Sequence, residues 1–109
     1  MSSELQVSLS NMDRLLHEPS RLLIATILYP IEQADFLYLL RETGFTRGNL
    51  STHLMKLEEA GYIEIEKTYR GKKPQTLLKL TPKGRNAFNE YRKQLKVIME
   101  QITPEDKNE

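Results

Sequence analysis

The sequence predicts a mainly α-helical domain with one small β-hairpin, in the order helix, helix, helix, strand, strand, helix, and with a long C-terminal helix. Three observations predict it. Apolar residues recur at three- and four-residue spacing over most of the chain, the period of a helix with one buried face. Between Tyr62 and Leu80 the period falls to two, broken by Arg70-Gly71-Lys72-Lys73-Pro74, a turn by composition. Beyond Thr81-Pro82 the helical period returns and holds for about five turns. A chain of 109 residues supports one modest core and not two. Residues 1–109 are therefore expected to be a single domain, with 11–80 as helices and hairpin, 81–102 as a C-terminal dimerisation helix and 103–109 as a polar tail.

The elements follow in order. Residues 1–10 show no clear period and are expected to be a frayed or partner-dependent start. Asn11 or Asp13 caps a short turn through Leu15, Leu16 and His17. Pro19 suits the first position of a helix, where its missing N–H is unpaired in any case. That helix runs to about Tyr29 and buries Leu22, Leu23, Ala25, Ile27 and Leu28, with Pro30 stopping it. Asp35 caps a second helix, Phe36 to Glu42, and Gly44 follows its end.

The stretch from Thr46 to Gly61 has both helix ends marked, Thr46 as a hydroxyl cap and Gly61 as a residue able to turn left-handed. Leu50, Leu54 and Leu57 form one apolar stripe. Away from it lie Gly48, Asn49, Ser51, Thr52, Met55 and Lys56, with Arg47 in the first turn and no acid before Glu58. A merely solvated face favours Glu and Lys at four-residue spacing over these weaker helix formers. Short hydrogen-bonding groups and cations on one face suit a DNA major groove, where small residues let the backbone come close. Only Phe45 separates Gly44 from the cap at Thr46, so two helices join by a very short turn, as in a helix-turn-helix.

Ile63 and Ile65 alternate with Glu64 and Glu66 in the first strand, and Gln75 to Leu80 form the second. The net charge of +1 conceals segregation: residues 67–93 hold nine basic side chains and one acidic. After the cap Thr81 and Pro82 at the first helical position, an apolar stripe comprises Ala87, Phe88, Tyr91, Leu95, Ile98, Met99 and Ile102. A domain of this size does not easily cover so long a stripe alone. Phe88, Tyr91, Leu95, Ile98, Met99 and Ile102 are therefore expected to form a dimer interface with the same helix, or the N-terminal segment, of a second copy.

Other classes are disfavoured. Hydrophobic and charged contents of 39% and 28% suit a soluble globular protein, and no apolar run approaches the roughly 20 residues that span a bilayer. The N-terminus has neither the basic nor the apolar region of a signal peptide, and cysteine is absent, so a cytoplasmic location is expected. His17 and His53 lack metal-ligand spacing, Gly71-Lys72-Lys73 lacks the pattern of a phosphate loop, and no Ser-His-Asp or HExxH arrangement occurs. Neither catalysis nor a metal or cofactor is expected.

Five segments carry a family resemblance: His17-Glu18-Pro19-Ser20-Arg21-Leu22-Leu23-Ile24; Gly44 through Leu54; Leu57-Glu58-Glu59-Ala60-Gly61-Tyr62-Ile63; Gly71-Lys72-Lys73-Pro74-Gln75-Thr76; and Leu80-Thr81-Pro82-Lys83-Gly84-Arg85. Together they resemble the small MarR/ArsR-type winged helix-turn-helix transcriptional regulators, over nearly the whole chain. The resemblance implies a homodimer on double-stranded DNA, the third main helix in the major groove and the hairpin wing on the phosphates or minor groove. By position it assigns Thr46, Arg47, Asn49, Ser51, Thr52 and Lys56 to the recognition helix contacts, and Arg70, Lys72 and Lys73 to the wing. Arg47 suits guanine and Asn49 adenine, whereas Ser51, Thr52 and Lys56 suit phosphates. Relatives that sense metals or peroxide use cysteines, which this chain lacks. An unidentified small-molecule effector is compatible with a pocket at the dimer interface, though no residue specifies its chemistry. The competing readings are a winged helix used for protein contacts in a transcription complex, which needs no basic wing, and RNA binding, which needs more exposed aromatics than Tyr69 supplies.

Overall fold

The computed structural model describes residues 2–102. Its elements are α1 (Ser2–Ser10), α2 (Pro19–Leu28), β1 (Ala34–Asp35), α3 (Phe36–Thr43), α4 (Arg47–Glu59), β2 (Ile63–Arg70), β3 (Lys73–Leu80) and α5 (Pro82–Ile102). The three strands form one antiparallel sheet in the order β1-β3-β2. The expected mainly helical architecture with a β-hairpin is borne out, and the expected polar tail at 103–109 lies outside the described residues.

Local chemistry marks the ends of each helix. Pro19 occupies the first turn of α2, and the Glu18 carboxylate caps it by accepting from the Arg21 N–H at 2.8 Å. Asp35 caps α3 by accepting from the Leu37 N–H, and Gly44 closes it at φ +71°, where a side chain would be strained. Asp13 is the residue that organises the turn before α2, accepting from the N–H groups of Leu15 and Leu16. The apolar stripes converge on Leu16, Ile24, Leu28, Leu39, Leu50, Leu57 and Leu78, all almost wholly buried. Each such side chain contributes roughly 1.5–3 kcal/mol of burial free energy.

Four expectations are corrected. Residues 2–10 form α1, which packs against α5 with Leu5 set on the core; its stability comes from that tertiary contact, as its own apolar pattern is weak. Ala34 and Asp35 form a third strand, pairing with Leu78 and Leu77, in a segment too short to show a period. The hairpin loop is only Gly71-Lys72, because Arg70 pairs with Lys73 and Tyr69 with Pro74. Gly71 at φ +66° opens this tight loop. Pro74 is tolerated inside β3 because β1 ends well short of it, leaving that part of β3 with a neighbour on one side alone.

The fourth correction concerns the C-terminal stripe. Phe88, Tyr91 and Ile98 are buried by their own chain: Phe88 packs on the Tyr29 ring at 5.1 Å, and the Tyr91 hydroxyl is hydrogen-bonded to His17 Nδ1 at 2.8 Å. Tyr29 and His17 supply this cover from outside α5, and α1 packs against α5 as well. Of the expected interface, Leu95 is half-buried and Met99 is 51% exposed, while the Ile102 side chain lies outside the described residues.

The start of α5 is fixed by a close approach. Thr81 Oγ1 accepts from the Gly84 N–H and donates to Gly61 O at 2.6 Å, and the Thr81 N–H donates to Tyr62 O at 3.0 Å. A Cβ at Gly84 would stand 2.1 Å from Tyr62 O. This junction sets α5 against the link between α4 and β2, and so bears on how helix and wing are held together.

Candidate nucleic-acid interface

The polar helix forms where the sequence marks it. Thr46 Oγ1 accepts from the Asn49 N–H at 3.1 Å, and Gly61 at φ +80° ends the segment. Leu50, Leu54 and Leu57 are buried, so the opposite side must face outward. Thr46, Arg47, Asn49, Ser51, Thr52 and Lys56 are all exposed, as are Gly48 and Met55. The Thr52 hydroxyl donates to Gly48 O at 2.9 Å, within its own helix. The Thr46 hydroxyl only accepts, so its proton stays available to donate outward.

Behind this face, a polar cluster that sequence reading did not assemble ties α4 to the start of α2. Arg21 donates through Nε to Leu15 O at 2.7 Å, and its Nη1 lies 3.1 Å from His53 Nδ1. Guanidinium groups only donate, so the ring nitrogen facing Arg21 is the acceptor. Glu18 completes the cluster, 3.9 Å from Arg21 and 4.0 Å from His53. Partial burial pushes the Glu18 carboxyl up, but the Arg21 N–H, the electrostatic attraction of His53 and of Arg21 and the Ser20 N–H outweigh it and hold it below the usual range. His53, set beside the leucine stripe in the sequence, is a packed histidine that also lies against Phe45.

The wing brings the second set of residues into place. Strand alternation puts Ile63, Ile65, Lys67 and Tyr69 on one face of β2, opposite Leu80, Leu78, Thr76 and Pro74 of β3. Ile63, Leu78 and Leu80 are buried there, so this is the inner face. Glu64, Glu66, Thr68 and Arg70 share the outer face with Lys79, Leu77, Gln75 and Lys73. Between α4 and the wing runs a groove of about 380 Å³ lined by Phe36, Arg47, Ser51, Leu54, Met55, Ile65, Lys67, Thr76 and Leu78. Residues of α4 and of the wing thus line a single concavity.

The tertiary structure disperses the basic segment counted in the sequence. Arg85 donates to the carbonyls of Tyr29 and Ile31, Arg92 lies over the Tyr29 and Phe88 rings, and Lys83 over Tyr62. Lys79 pairs with Glu64 at 3.4 Å. What remains on the wing is Lys67, Arg70, Lys72 and Lys73, all exposed. Arg70 has an acidic neighbour that is distant in sequence. A hydrogen bond from the Gln75 amide at 3.0 Å holds the Asp35 carboxyl low; against the opposing effect of burial, the N–H groups of Leu37 and Tyr38 and the Arg70 charge act in the same direction. Among the described residues no group of three or more His, Asp or Glu side chains is placed to hold a metal ion, and no helix is long and apolar enough to cross a membrane.

Residues 20–99 match the family model of the winged helix DNA-binding domain. An uncharacterized protein of Methanocaldococcus jannaschii is 42% identical over 71 residues, which cover 65% of this chain and 77% of that protein. The structure of a transcriptional regulator homologue from Pyrococcus horikoshii OT3 superimposes with a TM-score of 0.83 at 26% identity, covering 93% of this chain and 98% of that one. NadR, solved in complex with 4-hydroxyphenylacetate, shares the fold with a TM-score of 0.61 at 21% identity, over 96% of this chain and 74% of that one. These matches bear out the resemblance that the sequence motifs carry.

Proposed function

We propose that this chain, which belongs to the winged helix DNA-binding domain family, is a transcriptional regulator that binds double-stranded DNA sequence-specifically as a homodimer. In this reading α4 enters the major groove and the wing follows the backbone or the minor groove. The observation that carries it is the shared concavity: exposed residues of α4 and the inner face of the wing line one groove, with two cations and no carboxylate among its lining residues. A protein partner would require no such cationic wing. Asn49 is the first candidate for reading a base, by bidentate contact with adenine. Lys56, Ser51 and the donating hydroxyl of Thr46 suit phosphates, and Lys72 and Lys73 extend that contact from the hairpin tip.

Support for the dimer comes from exposed apolar residues on two helices that pack together, Val7 and Leu9 on α1 with Val97 and Met99 on α5. One structural relative holds 4-hydroxyphenylacetate; a small-molecule effector is part of the proposal here, its chemistry unassigned.

The test is a footprint and a binding titration on duplex DNA from upstream of the protein's own gene, at two salt concentrations. Two half-sites about one helical turn apart, roughly 10 bp, are expected. Asn49→Ala should lose about 1–3 kcal/mol of discrimination at one base position, and Lys72→Ala should weaken all sequences alike. Absence of salt-dependent duplex binding would overturn the reading, and protection of one half-site would remove the dimer.

A further inference from the structure

We infer that the groove between α4 and the wing is a clamp for one DNA phosphodiester, held from opposite walls by Arg47 and Lys67. The inference rests on the DNA-binding reading and assigns a contact within it. Arg47, Ser51 and Met55 succeed one another at four-residue spacing, so they form the edge of α4 that faces the wing and line the groove together. Gly48, Asn49, Thr52 and Lys56 make up the outer stripe instead. The Arg47 guanidinium lies 6.0 Å from the centroid of the Phe36 ring, whose face attracts it toward the groove floor. Arg47 is thereby directed to the sugar-phosphate chain in place of the guanine contact that sequence position suggested.

Lys67 stands on the other wall. Strand alternation sets it on the inner face of β2 beyond Ile65, directly opposite Thr76. Arg70 and Lys73 share the outer face, and Arg70 also feels the charge of Asp35. Lys67 is therefore the cation of the two wing strands that looks toward α4. The hydroxyls of Ser51 and Thr76 add a donor to each wall, and Phe36, Leu54, Ile65 and Leu78 supply apolar surface. Two cations and two hydroxyls above apolar surface match a phosphate with its flanking deoxyriboses. A space of about 380 Å³ accommodates such a unit.

The experiment measures affinity of wild type, Lys67→Ala, Arg47→Ala, the double variant and Lys79→Ala for an operator duplex and a scrambled duplex across a salt series. Lys79, on the outer face and paired with Glu64, is the control. Each clamp variant should lower the salt slope by about 1 per bound protomer. At 0.1 M salt that corresponds to a loss of about eightfold per protomer, equal on both duplexes. The two losses should be non-additive by about twofold or more, because both side chains grip one phosphate. Lys79→Ala should bind as wild type does. Lys67→Ala behaving like Lys79→Ala would overturn the clamp while leaving DNA binding in place. Arg47→Ala altering preference at one base pair with the slope intact would do the same. A wild type that binds neither duplex would remove the DNA-binding reading itself, and the clamp with it.

Discussion

Gly84→Ala is expected to destabilise the protein, although replacing glycine by alanine inside a helix ordinarily stabilises it by about 1 kcal/mol. The added Cβ would lie 2.1 Å from Tyr62 O, 2.9 Å from its carbonyl carbon and 3.0 Å from its Cα. Every one of these is a backbone atom, so no rotamer change relieves the overlap. The first turn of α5 must retreat by about 1 Å before the nearest contact reaches even the shortest separation that packed atoms tolerate. That retreat strains the Thr81 N–H bond to Tyr62 O and the Thr81 hydroxyl bond to Gly61 O. Overpacking costs roughly 1–3 kcal/mol, and two weakened hydrogen bonds cost about 1 kcal/mol each. Set against the helix gain, the net loss is about 3 kcal/mol. A chain of 109 residues has an unfolding entropy near 0.23 kcal/mol per kelvin, so the midpoint should fall by about 13 °C. Calorimetry or thermal circular dichroism measures this directly. A variant as stable as wild type, or more so, would refute the close approach of α5 to the α4–β2 junction.

Gly48→Ala should behave in the opposite way: a Cβ there meets nothing within 4 Å, so the thermal midpoint should rise, by up to about 1 kcal/mol of stability, while DNA affinity falls because the methyl stands on the face meant for the groove. Glu18 and Asp35 both have carboxyls held below their ordinary values of 4.5 and 3.8. Their contribution to stability is therefore present above those values and lost as pH falls through the lowered ones; Glu18→Gln and Asp35→Asn should each flatten the acid limb of a plot of urea midpoint against pH. At the alkaline end, burial and the hydrogen bond to Asp13 push the Tyr62 hydroxyl up to about 12. The stability it carries is complete below the ordinary value of 10.0 and lost as pH rises toward 12. Phenolate absorbance should show one of the five tyrosines titrating last, and Tyr62→Phe should abolish that step.

The local elements were legible because their causes are local. Asp35, Thr46 and Thr81 cap the helices they were expected to cap, and Leu50, Leu54 and Leu57 are buried as their spacing required. The exposed face of α4 follows directly, since a helix that buries one stripe must present the other. Lys67 among the groove residues was missed because it was counted with the charged segment and not placed by strand parity. The cluster of Glu18, Arg21 and His53 joins residues 32 positions apart, and nothing in a linear reading signals such a contact.

The sequence by itself determined the order of the elements, their caps and the side of α4 that faces outward, since spacing, hydroxyls and glycines act within a few residues. Tertiary structure alone decided the fate of the charges and the long apolar stripe. Eight of the nine cations close together in sequence were divided among carbonyl contacts, ring faces, an ion pair and the wing, according to which side of a strand or helix each happened to occupy, and Lys93 is exposed on α5. Phe88, Tyr91 and Ile98 were covered by their own chain: the Tyr29 ring lies on Phe88, His17 on Tyr91, and α1 packs against α5. Helical period shows that a stripe must be buried; which surface buries it depends on groups that meet only after the chain has folded.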